Sequence, residues 1–361
     1  MSDFLQSASV TTLPLLDGTA SGTRHRDLAA WSTDRPLALV LPCHARELGS
    51  PALARIRQSL AEIPWLHRLV IGLDAASESE FAATCHQFSN LPCEVEILWH
   101  DGPRTETDAS PAAGFPTGKG RNLWLCCRAA LADPAVLAVA AHDADIVGYS
   151  PDFLARLCWP VLHPEAGLDG CKGWYSRHSS QLHGRLFRLL VQPLCQAITA
   201  TGSPSPWISY LGEFRYALSG EWCLRRSALQ QIPFGTGWDA EIRMLHAWHA
   251  LPDLRICQAE LCHAYDHRHH DLSGLGLMAS EVASAIWQGI ATDHQPDPQA
   301  VLTHWHAASA RSLQHASLTA GINALMHSPE AETATAHAFS AILPSALRNS
   351  LLPSLLPPPG R

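Results

Sequence analysis

Asp143 and Asp145 stand two residues apart, directly after an unbroken aliphatic run at 136–141. In extended backbone, residues i and i+2 share a face, so both carboxylates are expected to point the same way. Two hard oxygen donors placed like this suit Mg²⁺ or Mn²⁺ bridging to a substrate phosphate. The densest histidine cluster, HAYDHRHH at 263–270, offers a second source of chemistry. His267, Arg268, His269 or His270 could supply a metal ligand or a phosphate partner, or the segment could be a polar loop capping a following helix. No cysteine spacing nearby completes a tetrahedral zinc set.

Lys119 lies between Gly118 and Gly120 where a helix is expected to begin. A turn of this kind lets backbone amides and an ammonium approach phosphate oxygens, although the spacing is not that of a P-loop. Further along, Lys172, Arg177 and Arg185 are cations beside small residues. Arg177 could fork onto a phosphate or carboxylate, or lie on the surface. Glu221 sits between Gly220 and Trp222, a pairing suited to sugar hydroxyls above an apolar face, and Glu241 falls on an expected helix whose solvated face it could equally occupy. Neither a Gly-x-Ser-x-Gly elbow, a His-Glu-x-x-His helix nor a Gly-x-Gly-x-x-Gly turn occurs, which counts against hydrolase, zinc protease and dehydrogenase chemistry.

The elements that must position these residues alternate. The apolar run at 37–41 reads as a buried strand, and 69–73, 95–99 and 136–141 read as further strands. Between them, helices are expected from Pro51, over 77–89, and from Lys119 through Leu131, with a long Gly/Pro/Thr/Asp loop at 101–118. This alternation predicts an α/β fold with a mostly parallel sheet flanked by helices. Ligands of such sheets bind beyond the carboxyl ends of the strands, where Pro42, Asp74, Asp143 and Asp145 all fall. The second half is less regular: helices at 150–162, 183–200 and 238–248, strands at 170–175 and 254–261, and an aromatic-rich loop at 205–217. The chain then reads as helical from Gly274 to about 327, and the Pro-rich 343–361 as a trailing tail. Four regions follow: a lead-in at 1–35, two halves at 36–147 and 148–292, and a C-terminal extension at 293–361.

Charged residues make up 16% of the 361 and hydrophobic ones 47%. A coiled coil or disordered chain needs far more charge than this. The formal charge is −8 with no dense run of Lys or Arg, so no nucleic-acid partner is expected. Eleven cysteines, an odd number without Cys-x-x-Cys pairs, read as reduced thiols in a cytoplasmic protein. Residues 1–22 lack the basic and apolar regions of a secretory signal, and no aliphatic run approaches the ~20 residues of a membrane span.

Taken in order, LPCHARE (41–47), GKGRNLW (118–124), HDADI (142–146), KGWYSR (172–177), GRLFRLLVQPL (184–194), FRYALSGEW (214–222), GWDAEI (237–242) and YDHRHHDLS (265–273) resemble the GT-A-fold retaining glycosyltransferases of family 81, the glucosyl-3-phosphoglycerate synthases. The likeness covers about seven-tenths of the chain, and the ordered set is far more specific than any member. It implies a GT-A fold with a nucleotide-sugar-binding half at 36–147, a mixed acceptor-binding half at 148–292 and a helical C-terminal region at 293–361. It also implies a metal-dependent transfer of glucose from a nucleoside-diphosphate glucose, with UDP-glucose favoured, to D-3-phosphoglycerate.

By the same resemblance, Pro42, Glu47 and Asp74 line the nucleoside pocket and Lys119 approaches the donor phosphates. Asp143 and Asp145 match the metal-binding DxD pair, Asp143 also facing the donor, and His267 matches the metal-binding histidine. Arg177 matches the acceptor's phosphate ligand, with His269 at the acceptor end of its loop. Glu221 and Glu241 match carboxylates at the donor sugar and, with Lys119, make up the catalytic set. The expected cofactor is Mg²⁺ or Mn²⁺, and a homodimer is implied. Alternatives within the fold are GDP-glucose or GDP-mannose as donor, or another phosphorylated acceptor. A catalytically silent sugar-nucleotide-binding protein is the alternative of a different class.

Overall fold

The computed structural model describes residues 9–16, 21–103, 112–266, 272–291, 294–349 and 355–360. Its centre is an eight-stranded sheet, β1 Val10–Leu13, β2 Leu37–His44, β3 Arg68–Asp74, β4 Glu94–Trp99, β5 Ala138–Ala141, β6 Gly170–Trp174, β7 Trp222–Arg225 and β8 Ile256–Glu260. The spatial order is β1-β8-β6-β7-β5-β2-β3-β4. All pairings are parallel except those of β7, which runs antiparallel to both β5 and β6. Residues Leu37 to Leu41 and Leu69 to Ile71 are at most 1% exposed, because helices cover both faces of the sheet. Strands buried on both faces carry continuous rather than alternating apolar residues. That is why these strands were legible.

The helices that place the site begin where the sequence predicts. Helix α2 (Pro51–Leu60) is capped by Ser50, and α3 (Glu78–Phe88) by a reciprocal Ser77–Glu80 capping box. Helix α4 (Lys119–Ala132) starts at Lys119. Its first turn lies so close to the 235–236 segment that a Cβ on Gly120 would fall inside the Gly235 carbonyl, and one on Gly118 would come within 2.6 Å of the Thr236 oxygen. In open space Gly120→Ala would stabilise a helix by about 1 kcal/mol. Here the backbone collision decides the sign. We expect Gly120→Ala to cost about 1–3 kcal/mol and to lower Tm in a thermal melt, and a raised Tm would mean that the two segments separate freely.

Before the C-terminal region, the fold departs from expectation in three places. The lead-in is structured, with β1 on the sheet edge beside β8 and α1 (Ser21–Trp31) tied to α5 (Pro151–Leu162) by Arg24–Asp152 at 2.8 Å. The aromatic-rich loop contains α7 (Pro206–Gly212), started by the Ser205 cap and Pro206 in the first turn. And β7, to which no strand was assigned, threads the middle of the sheet.

At the C-terminus, α10 (Leu272–Gln288) and α11 (Pro298–Ile322) follow expectation, but α12 (Pro329–Ala346) adds a further helix begun by the Ser328 cap. Glu332 of α12 accepts from both terminal guanidinium nitrogens of Arg188, at 2.8 and 3.0 Å. The Pro-rich end does not trail. Leu356 exchanges backbone hydrogen bonds with Phe234, and the Trp124 indole donates to the Pro357 carbonyl at 2.6 Å.

Candidate active site

Because β7 runs against its neighbours, its amino end lies beside the carboxyl ends of β5 and β6. Trp222 is opposite both Ala141 and Lys172. Residues 219–221 therefore adjoin 142–143 on one side and 173 on the other. The Gly173 amide donates to the Glu221 carbonyl at 2.8 Å, and a Cβ on Gly220 would stand 2.7 Å from an Asp143 carboxylate oxygen. Glycine at 220 is what leaves room for Asp143.

Lys119, the first residue of α4, bridges two acidic groups, with its Nζ 2.9 Å from Asp143 and 2.8 Å from Glu241. Glu241 is 6% exposed in the first turn of α9 (Ala240–His249), where the helix dipole favours a carboxylate. Burial alone would pull the ammonium of Lys119 down; Asp143 and Glu241 outweigh it and hold the group well above the ordinary lysine range.

Strand β5 ends at Ala141, and the chain turns at residues 144–145, so the extended geometry expected for Asp143 and Asp145 does not persist. Buried His142 pins the turn instead, with Nδ1 3.0 Å from the Asp143 carbonyl and Nε2 3.1 Å from the Tyr149 hydroxyl. Glu47, Asp74 and Asp145 all bear on the Cys43 thiol near the end of β2. Burial first, then these carboxylates, push that thiol up to about 12. Pro42, half-buried and in register with Gly72, lies one residue away on the same strand.

Asp74 is clamped on both oxygens, by Asn122 Nδ2 at 2.7 Å and His100 Nδ1 at 2.9 Å. Neither Asn122 nor His100 was singled out from the sequence, and Asn122 was detectable only as a polar residue on the buried face of α4.

Two further groups lie beneath this layer. Lys172 on β6 is 1% exposed, donates to the Ser219 carbonyl, and is drawn by burial to about 8 even though Glu241 and Glu221 raise it. Glu221, expected at the donor sugar, has no exposed surface. Its two oxygens accept from the Tyr175 hydroxyl at 2.6 Å and the Tyr265 hydroxyl at 3.0 Å. A carboxylate so buried needs such donors; burial and the Asp143 charge push its pKa up, against the Tyr175 hydrogen bond. Arg177 donates to the Tyr216 hydroxyl at 2.8 Å, with its guanidinium 5.7 Å from the Tyr216 ring centre and 5.9 Å from that of Tyr265. His267 and His269 lie outside the described residues.

Among the described residues, no three His, Cys, Asp or Glu side chains gather into a group that could hold a metal ion. The donor chemistry still fits a hard cation. Mg²⁺ and Mn²⁺ are commonly held by one or two carboxylates together with substrate phosphates, rather than by an all-protein cage, and Asp143 and Asp145 are the oxygen donors beyond β5. All eleven cysteines are free thiols, and no described helix is long and apolar enough to cross a membrane.

A glucosyl-3-phosphoglycerate synthase of Persephonella marina is 35% identical to this chain over 304 residues, covering 81% of the chain and 75% of that protein. The chain belongs to the glucosyl-3-phosphoglycerate synthase family. A second member, from Methanococcoides burtonii, is 31% identical over 264 residues, 69% of this chain and 64% of the relative. No family model matches the chain. Among solved structures, the synthase of Mycobacterium tuberculosis in complex with Mn²⁺, UDP and glucosyl-3-phosphoglycerate superposes with a TM-score of 0.59 at 23% identity. It covers 78% of this chain and 88% of that one. The same enzyme with Mn²⁺, UDP-glucose and phosphoglyceric acid gives a TM-score of 0.58 at 22% identity, covering 78% and 87%. These likenesses establish the GT-A fold, and the chain is a glycosyltransferase of that architecture.

Proposed function

We propose that this synthase transfers glucose from UDP-glucose to D-3-phosphoglycerate, forming glucosyl-3-phosphoglycerate. The observation that carries the reading is the 35% identity to a glucosyl-3-phosphoglycerate synthase over 81% of the chain. The nucleoside would lie against Pro42, Glu47 and Asp74, at the carboxyl ends of β2 and β3. Asp143 and Asp145 would hold Mg²⁺ or Mn²⁺, with His267 as the third protein ligand. Bound there, the cation would neutralise charge on the departing diphosphate.

Lys119 would add its own positive charge at the diphosphate, aimed by Asp143 and Glu241, while Glu241 would reach the sugar hydroxyls. The acceptor's phosphate would be met by Arg177 and by Arg185 across Gly184, with His269 nearby. Arg185, whose side chain is 38% exposed, is the more open of the two cations. With no exposed carboxylate nucleophile assigned, the simplest retaining route is displacement on the leaving-group face. The bond from the anomeric carbon to the phosphate oxygen breaks, the acceptor oxygen bonds to that carbon, and its proton passes to the departing phosphate. Holding both partners in one pocket supplies proximity and orientation. The free thiols support a reducing, cytoplasmic setting, and a homodimer rests on the family resemblance.

Mass spectrometry of products tests the reading. The protein is mixed with 3-phosphoglycerate and, separately, UDP-glucose, GDP-glucose or GDP-mannose, each with Mg²⁺ or EDTA. A hexosyl-phosphoglycerate formed from UDP-glucose and abolished by EDTA is expected. Product only from a GDP-sugar would reassign the donor, and no product from any donor would leave the silent binding protein as the better account.

A further inference from the structure

Glu221 is the least accessible of the carboxylates assigned to the site, and its partners explain what it can do. The rings of Tyr175 and Tyr265, whose hydroxyls it accepts from, are stacked face to face with centroids 3.7 Å apart and planes 3° from parallel. The two tyrosines stand ninety residues apart in sequence, on separate segments, and a single carboxylate ties both ends together.

What hangs from Tyr265 matters more. Its own amide donates to the Ser176 carbonyl at 3.0 Å, next to Arg177. The carbonyl of the following residue, Asp266, accepts from the Val147 amide at 3.0 Å, two residues beyond Asp145. The Arg177 guanidinium rests near the face of the same ring. Tyr265 thus joins the turn bearing Asp143 and Asp145 to the segment bearing Arg177, and Glu221 fixes Tyr265.

We propose that Glu221 is a positioning residue, not a sugar contact: through the Tyr175–Tyr265 stack it aligns the Asp143–Val147 turn with the Arg177 segment, so that donor-side and acceptor-side groups are set as one unit. This rests on the functional reading above for what the two segments bind, but the clamp itself is a property of the chain without ligand. Removing one hydrogen bond from the pair leaves a buried partner unsatisfied, and residues acting in one network are expected to be strongly non-additive.

Two measurements on Glu221→Gln, Tyr265→Phe and the double variant separate the possibilities. The first is amide hydrogen exchange on the ligand-free protein. The amides of Val147 and Tyr265 should exchange about tenfold faster in each single variant, with little further gain in the double. Unchanged exchange at these amides would overturn the clamp, whatever the protein binds. The second is calorimetric titration of UDP in the presence of Mn²⁺. UDP lacks the glucosyl group, so a residue that only touches glucose cannot alter its binding, whereas a residue that positions the Asp143–Val147 turn must. We expect both single variants to bind UDP with Mn²⁺ about tenfold more weakly. Wild-type affinity in Glu221→Gln, together with loss of turnover, would restore Glu221 to the sugar. If the wild-type chain bound no UDP while the exchange effect held, the failure would belong to the substrate assignment and the clamp would stand.

Discussion

Asp143→Asn should lower kcat by about 10²–10³-fold while leaving the protein folded. The substitution keeps the shape that Gly220 accommodates, and its amide oxygen can still accept from Lys119, which also keeps Glu241 at 2.8 Å. What disappears is one full negative charge at the place where a divalent cation and a diphosphate are proposed to meet. Preorganised electrostatic groups of this kind are typically worth two to three powers of ten in rate. The apparent Mn²⁺ requirement should rise in the same variant, because one of two carboxylate ligands is gone. Steady-state rates across a Mn²⁺ titration, with a thermal melt as control, read both effects. Near-wild-type kcat at low Mn²⁺ in a folded variant would remove Asp143 from the metal site, and with it the proposed role for the turn.

That site was legible in part because its residues end elements of a readable kind. Strands β2, β3 and β5 are continuous aliphatic runs, so Pro42, Asp74 and Asp143 could be placed at carboxyl ends from the sequence alone, and the Gly118–Gly120 turn marked the start of α4. The rest was hidden for physical reasons. Strand β7 has four residues, a glycine two positions before it and no alternation, and its antiparallel place between β5 and β6 depends on pairing that leaves no local trace. Without β7, Glu221 reads as a loop carboxylate beside a tryptophan, ready for a sugar. With it, Glu221 lies in the interior, where the Tyr175 and Tyr265 hydroxyls donate to it. The same holds for Asp74, whose partners come from a helix 48 residues away and a strand end 26 residues away. For Asp143 and Asp145 the shared face depended on extended backbone, and the chain turns at residues 144–145 instead, a change of geometry that follows from the end of β5 and not from the residue types. Terminal segments were under-read because β1 is short and because a Pro-rich end is compatible both with a free tail and with the backbone pairing that Leu356 makes.

Lys172 supplies the second large effect, in stability rather than rate. Its ammonium is buried beside Glu221, Glu241 and Lys119, and burial outweighs the two carboxylates in bringing it from 10.5 to about 8. The unfolded chain therefore holds a proton on Lys172 between pH 8 and 10.5 that the folded chain has released. Stability attributable to this residue must then rise with pH across that window, and the interval corresponds to about 3 kcal/mol. Buried thiols act in the opposite sense. Cys43 and Cys93 are raised by burial, so the unfolded chain loses protons first and their contribution falls above pH 9. The wild-type curve alone mixes the two trends. Lys172→Met keeps nearly the same volume and every thiol, so the difference between wild type and variant cancels the thiol trend. In denaturant titrations that difference should grow in favour of the wild type by about 3 kcal/mol from pH 8 to 10.5. A difference that stays flat would mean that Glu221 and Glu241 hold Lys172 at its ordinary value. The layer beneath the site would then be a balanced ion network, not a strained one.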